Sequence, residues 1–513
     1  VGTPDDQRPS RLPAWLDRPS LPVTIAFIAS RAIAYAAGVR FDATPLYEFW
    51  QYVDPALLRA RGLESLWYLH SQPPLFNAYL ALVLKIFPGH EPAAFALVSL
   101  LLGWILALAL YAVLERLVAS RGVALALAIG FTVSPPAILY ENWLFYDFPL
   151  AVLLVLATLC LLRFATKGRI RDAALFFALL AAIALTRSLF HVVWLVGTAG
   201  ALVAVSRGAR ARVAAAATIP IALVLLWYGK NLVLFGTFSS SSWLGMSAAR
   251  VSTFLIPAEE RKQMVSAGML SPYALIPPFS KLDAYRDIAP PGAPTGIPVL
   301  DQRTKQSGKT NFNNVAYIDI SRAYLADASR LLRARPGAYL EGLPLAGLFF
   351  SLPASDLYFL KDNRARLGVW STLWNRLVYG QLLTVPDTTA YSISRKTLSG
   401  PRVLLCPGYL LMAAFVTAMA GGTLIALGAA WGKAKDTPVA IVLVFLIATI
   451  AYATLVGNGL EVGENNRFRF MIDPLWLVLL GVVVDRAIQA RARPVATGYA
   501  DGHKLTDIAG GTT

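Results

Sequence analysis

Long apolar runs separated by short basic clusters constrain this chain more than any other feature. Several runs, such as that from 92 to 118, exceed the about 20 residues an α-helix needs to cross a ~30 Å hydrocarbon core. In such a core no water satisfies the backbone, so each segment must pair its own N–H and C=O groups, as a helix does. Composition agrees: 56% of the 513 residues are hydrophobic and 15% charged, with mean hydropathy +0.56. A soluble chain of this length needs more polar surface. The expected fold class is an all-α polytopic membrane protein.

The net charge of +16 does not point to nucleic acid, because the basic residues gather on no single face. They punctuate the apolar runs as Arg8/Arg11/Arg18, Arg116/Arg121, Arg163/Lys167/Arg169/Arg171, Arg207/Arg210/Arg212, Lys433/Lys435 and Arg486/Arg491/Arg493. Basic loops stay on the cytoplasmic side. With every cluster inside, the spans fall at 21–39, 92–118, 121–139, 149–165, 172–187, 189–206, 213–229, 403–430, 437–456 and 471–488. The first run lacks a small-residue cleavage site and reads as a retained helix. Cytoplasmic tails then occupy 1–20 and 489–513 around a transmembrane domain at 21–488.

Two large segments face outward, 40–91 and 230–402, joined there by 140–148 and 457–470. The stretch 336–353, "PGAYLEGLPLAGLFFSLP", is bounded by prolines and carries Glu341. An eleventh span there would upset the charge parity, so an interfacial or re-entrant helix is expected. Tyr317, Ser321, Tyr324, Ala328 and Leu331 recur at helical spacing, which predicts an amphipathic helix over 314–334.

Familiar chemical motifs are missing. "SGKT" at 307–310 has Arg303 where a phosphate loop needs glycine, and no hydrophobic strand precedes it. There is no HExxH, CxxC or D-x-D, and the four histidines are scattered. No metal site is legible from spacing, and a divalent metal is left open. Cys160 and Cys406 offer no disulfide framework.

Carboxylates concentrate instead at the outer helix ends: Asp42, Glu48, Asp54, Glu141, Asp147, Glu461 and Glu464. Asp42 directly follows the first span, where a partly desolvated carboxylate suits a general base. Its structural alternative is a helix-end ion pair with Arg40. The cations Lys230, beside Asn231, and Arg467 and Arg469 stand at outer helix ends. Arginine forks match phosphate oxygens, while snorkelling is their ordinary explanation. Arg31 and Arg187 fall inside apolar runs, where charges usually face a cavity. In "WYLHSQPPLFNAYLALVLKIFP", Pro73-Pro74 suit a first helical turn. They predict a juxtamembrane helix, preceded by His70 and Gln72 and carrying Lys85.

"FDATPLYEFW" followed by "HSQPPLFN" resembles the first outer loop of integral-membrane GT-C glycosyltransferases, which include protein O-mannosyltransferases and the lipid A aminoarabinose transferase. "WYGKNLVLFGTFSSSSWLGMS" and "GENNRFRFMIDPLWLVLL" resemble two later stretches of that superfamily, in the same order. The usual Asp-Glu reads Asp42-Ala43 here, and the usual Arg-Asn reads Lys230-Asn231. The resemblance implies transfer of a sugar from a polyprenyl-phosphate donor to an envelope glycan, lipid or protein acceptor. It implies an inverting reaction on the outer face, with Asp42 as base and Glu48, Glu141 and Asp147 in reserve. The implied substrate-binding set is Arg40, His70, Gln72, Lys85, Arg187, Lys230, Asn231, Glu464, Arg467 and Arg469. A chain rich in alanine, arginine and leucine fits the plasma (inner) membrane of a high-GC bacterium. The rival reading is a transporter or flippase, although no internal repeat supports it.

Overall fold

The computed structural model describes residues 20–206, 208–289, 292–384, 401–431 and 437–492. Residues 1–19 and 493–513 of the expected tails, 385–400 of the large outer segment, and Arg207, Lys433 and Lys435 lie outside the described residues. The protein is all-α: 75% helical, with no strand among the described residues.

A helix occupies each of the ten expected spans. They are Leu21–Ala36, Glu91–Leu117, Arg121–Val133 continued by Pro135–Glu141, Asp147–Lys167, Ile170–Thr186, Val192–Val205, Arg210–Phe235, Tyr409–Trp431, Thr437–Leu460 and Asn465–Ala492. Five helices are long and apolar enough to cross a membrane, or six if the bent pair is one span. Leu21–Ala36 and Val192–Val205 are shorter apolar helices. The 50° bend before Pro135–Glu141 has a local cause. Pro135 and Pro136 have no N–H to continue the ladder, and the Ser134 hydroxyl caps the new helix at Ala137 N, 3.4 Å away.

Asp147–Lys167 is the central helix, with 67% of its apolar window buried. It packs against Glu91–Leu117, Ile170–Thr186, Thr437–Leu460 and Asn465–Ala492. Arg210–Phe235 and the Tyr409 helix are only 28% and 22% buried, and their exposed leucines and valines present apolar surface to lipid. The short connections after Glu91–Leu117, Asp147–Lys167 and Val192–Val205 are flanked by Arg116/Arg121, Arg163/Lys167/Arg169/Arg171 and Arg210/Arg212, whereas the two large segments follow Leu21–Ala36 and Arg210–Phe235.

Those segments fold as a helical cap. Pro74–Ile86 begins at the second proline of the pair and runs 13 residues, about 20 Å at 1.5 Å per residue. Ala316–Ala334 forms as the stripe predicts, with Tyr317, Ser321, Tyr324, Ala328 and Leu331 buried. It meets Leu244–Val251 so closely that a Cβ on Gly245 would stand 1.7 Å from Ser321 O. The 336–353 stretch divides into Pro336–Leu340 and Leu343–Ser351, of 5 and 9 residues, and neither is long enough to span.

Polar ties hold the first outer segment to this cap. His70 bridges Ser242 Oγ at 2.8 Å and Asn313 O at 2.9 Å, and burial pulls its pKa down to about 3. "SGKT" lies in a turn closed by Thr304 and Thr310. From that turn Lys305 Nζ donates to Phe49 O at 2.5 Å and Ser307 Oγ to Tyr47 O at 2.7 Å. The turn is a clasp.

Candidate functional site

A cavity of about 660 Å³ opens at the capped end of the bundle. Helix ends frame it: Tyr146 precedes Asp147–Lys167, Arg187 follows Ile170–Thr186, and His191 precedes Val192–Val205. Opposite them, Leu460 closes Thr437–Leu460 while Glu464 and Arg467 flank the start of Asn465–Ala492. Phe49, Trp50, Gln51 and Gln72 of the first outer segment and Ser239–Ser241, Trp243 and Phe279 of the second complete the wall.

One buried carboxylate organises the cations. Asp147, with no exposed surface, accepts from Arg187 Nη1 through Oδ1, and its Oδ2 stands 3.3 Å from Arg467 Nε. Arg467 Nη2 also reaches Glu464 at 2.9 Å. Phe468 packs 4.4 Å beneath the Arg187 guanidinium and Phe145 lies 4.7 Å from that of Arg467. Two fixed guanidiniums therefore border the cavity, and a bound anion would meet them without rearrangement. A second pair, Arg250 and Glu461 at 2.8 Å, lies on the same wall. Burial holds the Glu461 carboxyl above its usual range, with Arg250 pulling the other way.

Of the carboxylates and cations expected at the site, Glu48, Arg187, Glu464 and Arg467 line the cavity, as does Gln72. Asp147 lies behind the two arginines. The other residues are engaged elsewhere. Lys230 Nζ donates to Trp67 O at 3.0 Å and Leu69 O at 2.7 Å, so it anchors the first outer segment instead of lining the cavity. Asn231 Nδ2 closes the helix end on Ser239 O at 2.7 Å. Arg469, fully buried, donates to Phe350 O and to Leu352 O at 2.8 Å, docking Leu343–Ser351 on the last helix. Glu141 pairs with Arg31 inside the bundle at 2.7 Å. Lys85 is exposed near the end of Pro74–Ile86, and His70 is the tie already described.

Arg40 makes no pair with Asp42. Its guanidinium caps Tyr35 O at 2.7 Å and Val39 O at 2.8 Å. Asp42 is half-buried, and its backbone is bridged to Trp143 through Asn142 and Leu144. Both of its side-chain hydrogen bonds, from Thr44 N at 2.9 Å and Thr44 Oγ1 at 2.6 Å, fall on Oδ1. Oδ2 takes none among the described residues. Asp42 is not part of the cavity wall; Phe49 and Phe359 are, and both pack on Trp143, at 5.6 and 5.8 Å.

Residues 71–228 match the family model of the dolichyl-phosphate-mannose-protein mannosyltransferases. The match supports a membrane glycosyltransferase of the GT-C type. No curated protein and no solved structure gave a significant match. The matched stretch starts within "HSQPPLFN" and supplies Gln72, Tyr146, Arg187 and His191 to the cavity. This favours a transferase over the transporter and flippase reading. Among the described residues no group of three or more His, Cys, Asp or Glu comes together as a metal cluster.

The sequence did not single out the aromatic wall, Trp50, Trp243 and Phe279, or Arg250, the partner of the expected Glu461. "SSSSW" lay within a stretch of family resemblance and was the available signal for Trp243. Phe279 carries none, because the turn that presents it is set by distant tyrosines.

Proposed function

We propose that this glycosyltransferase moves a sugar from a polyprenyl-phosphate donor to the hydroxyl of an envelope glycan, lipid or protein, with inversion at the anomeric carbon. The observation that carries the reading is the pair Arg187 and Arg467, fixed by Asp147. They share the cavity with the aliphatic side chains of Leu189, Val193, Val456 and Leu460. Paired guanidiniums suit a phosphate, and the aliphatic side suits a prenyl chain. The basic clusters lie at the opposite end of the bundle, which supports an extracytoplasmic cavity in a bacterial plasma membrane.

In the reaction, a carboxylate takes the proton of the acceptor hydroxyl as its oxygen bonds to the anomeric carbon. The bond from that carbon to the phosphate oxygen breaks, and polyprenyl phosphate leaves. Arg187 and Arg467 stabilise the charge that develops on it. The base is Asp42 in this reading, supported by family resemblance and by the uncommitted Oδ2. A second reading assigns the base to Glu48, which lines the cavity and stands 3.8 Å from Lys309.

Single-turnover transfer of radiolabelled sugar decides between them. Asp42→Asn keeps the Thr44 turn and removes basicity, so transfer should fall about 100-fold or more, with donor binding intact. Glu48→Gln should cost less, through acceptor positioning. The reverse order moves the base to Glu48, and no transfer by the wild type from any polyprenyl-phosphate sugar defeats the donor assignment.

A further inference from the structure

Phe279 is the one described residue other than glycine with a left-handed backbone, at φ 63°. A bulky side chain persists in that region only where its surroundings over-determine it, and such strain collects at functional sites. Here they do. Tyr317 donates to Ser280 O at 2.8 Å, Tyr285 to Pro277 O at 3.1 Å, and Ser280 Oγ to Pro277 O at 2.6 Å. The turn is clamped on both sides, and Phe279 is held in the cavity wall.

Its ring joins two others on that wall. Phe279 stacks on Trp50 with centroids 5.4 Å apart and planes at 19°, and meets Trp243 edge-on at 5.2 Å and 77°. Beside this shelf, the 241–242 backbone is tied to the 70–71 backbone. Ser241 Oγ donates to Ser71 O at 2.6 Å and Ser242 N to His70 O at 2.9 Å. Next in the chain is Gln72, 7% exposed and on the cavity wall. No hydrogen bond among the described residues engages its amide, which faces the cavity, and the buried indole N–H of Trp243 has no partner.

Buried polar groups are normally paired, so the indole N–H of Trp243 is costly unless a ligand or water meets it. An aromatic shelf beside a vacant amide fits a ligand with an apolar face and hydroxyls around its edge. A pyranose ring has that chemistry; a prenyl chain or a bare phosphate does not. The geometry points to Trp50, Phe279, Trp243 and Gln72 as a sugar-ring subsite, separate from the arginine pair. This inference rests on the transferase reading and gives its sugar a location. The ring belongs to the donor or to an acceptor glycan, and the two sources separate by experiment.

The test uses full-length protein in detergent with three probes: a polyprenyl phosphate, its mannose conjugate, and a methyl mannobioside. In the wild type, mannose should add affinity over the bare lipid. Gln72→Leu and Phe279→Leu should each remove about tenfold of that increment while binding of the bare lipid stays unchanged, which also shows that the variants are folded. Loss confined to the mannobioside places an acceptor glycan on the shelf and also supports the subsite. An increment untouched by both substitutions, or no affinity gained from sugar in either form, overturns it. Failure of the wild type to bind either lipid defeats the donor reading together with the subsite. Arg467→Ala separates the two ideas, since it should weaken the bare lipid and the conjugate alike.

Discussion

Two of the arginine–carboxylate sites buried in this bundle part company over what surrounds the arginine. Arg31 forks onto Glu141, with Nη2 2.7 Å from Oε2 and Nε 3.1 Å from Oε1, and Nη1 is spent on Ser30 Oγ and Thr132 O. Gly103 makes room for the carboxylate: a Cβ there would stand 1.9 Å from Glu141 Oε2. One cation meets one anion and the site is sealed. Around Asp147, by contrast, two guanidiniums share a single fully buried carboxylate, and both border the cavity. A charge within a bundle is therefore no sign of a binding site by itself. A cationic pair that shares its anion and borders a cavity is.

The strongest way to break this contrast is Glu141→Ala. It strands Arg31 without its partner, and breaking a buried pair costs about 3–5 kcal/mol. The melting temperature in detergent should drop, while transfer per folded molecule stays normal. A folded variant with impaired transfer would mean that the sealed pair also serves the reaction. Arg31→Met with Glu141→Leu should recover much of the lost stability, because matched apolar replacements of buried pairs are often neutral.

Next in size is Arg467→Ala, which should weaken the lipid-linked donor by roughly 1.5–3 kcal/mol, the worth of a hydrogen bond to a charged group. Donor titration against a folded variant measures it, and unchanged affinity would remove Arg467 from phosphate binding. The effect smallest at neutral pH concerns His70. Its folded pKa of about 3 lies below the ordinary value, so the unfolded chain binds the proton first. The stability His70 confers is present at neutral pH and is lost as pH falls below about 6.5, at roughly 1.4 kcal/mol per unit. His70→Asn should flatten that part of the pH–stability profile; an unchanged slope would show that other groups cause it.

Much of the architecture was legible because apolar runs and basic punctuation report on the bilayer, which acts on every residue alike. The ten bundle helices and the Ala316–Ala334 stripe follow from such periodic signals. Side-chain direction at the site was less legible. Lys230, Arg467 and Arg469 look equivalent as cations at helix ends, yet Lys230 and Arg469 are consumed by backbone carbonyls and Arg467 alone borders the cavity. Which way each points depends on segments more than a hundred residues away. Asp147 likewise depends on partners 40 and 320 positions distant, and Phe279 on a turn held by Tyr285 and Tyr317.

Arg467 and Arg469 are two residues apart on one helix, which turns them about 200° from each other. One is bound to the anions around the cavity and the other to the carbonyl oxygens of Phe350 and Leu352. Any roll of that helix that carried Arg467 further toward a phosphate would pull Arg469 from its carbonyls. The pair therefore acts as a torsional latch that opposes rotation of the final helix about its own axis.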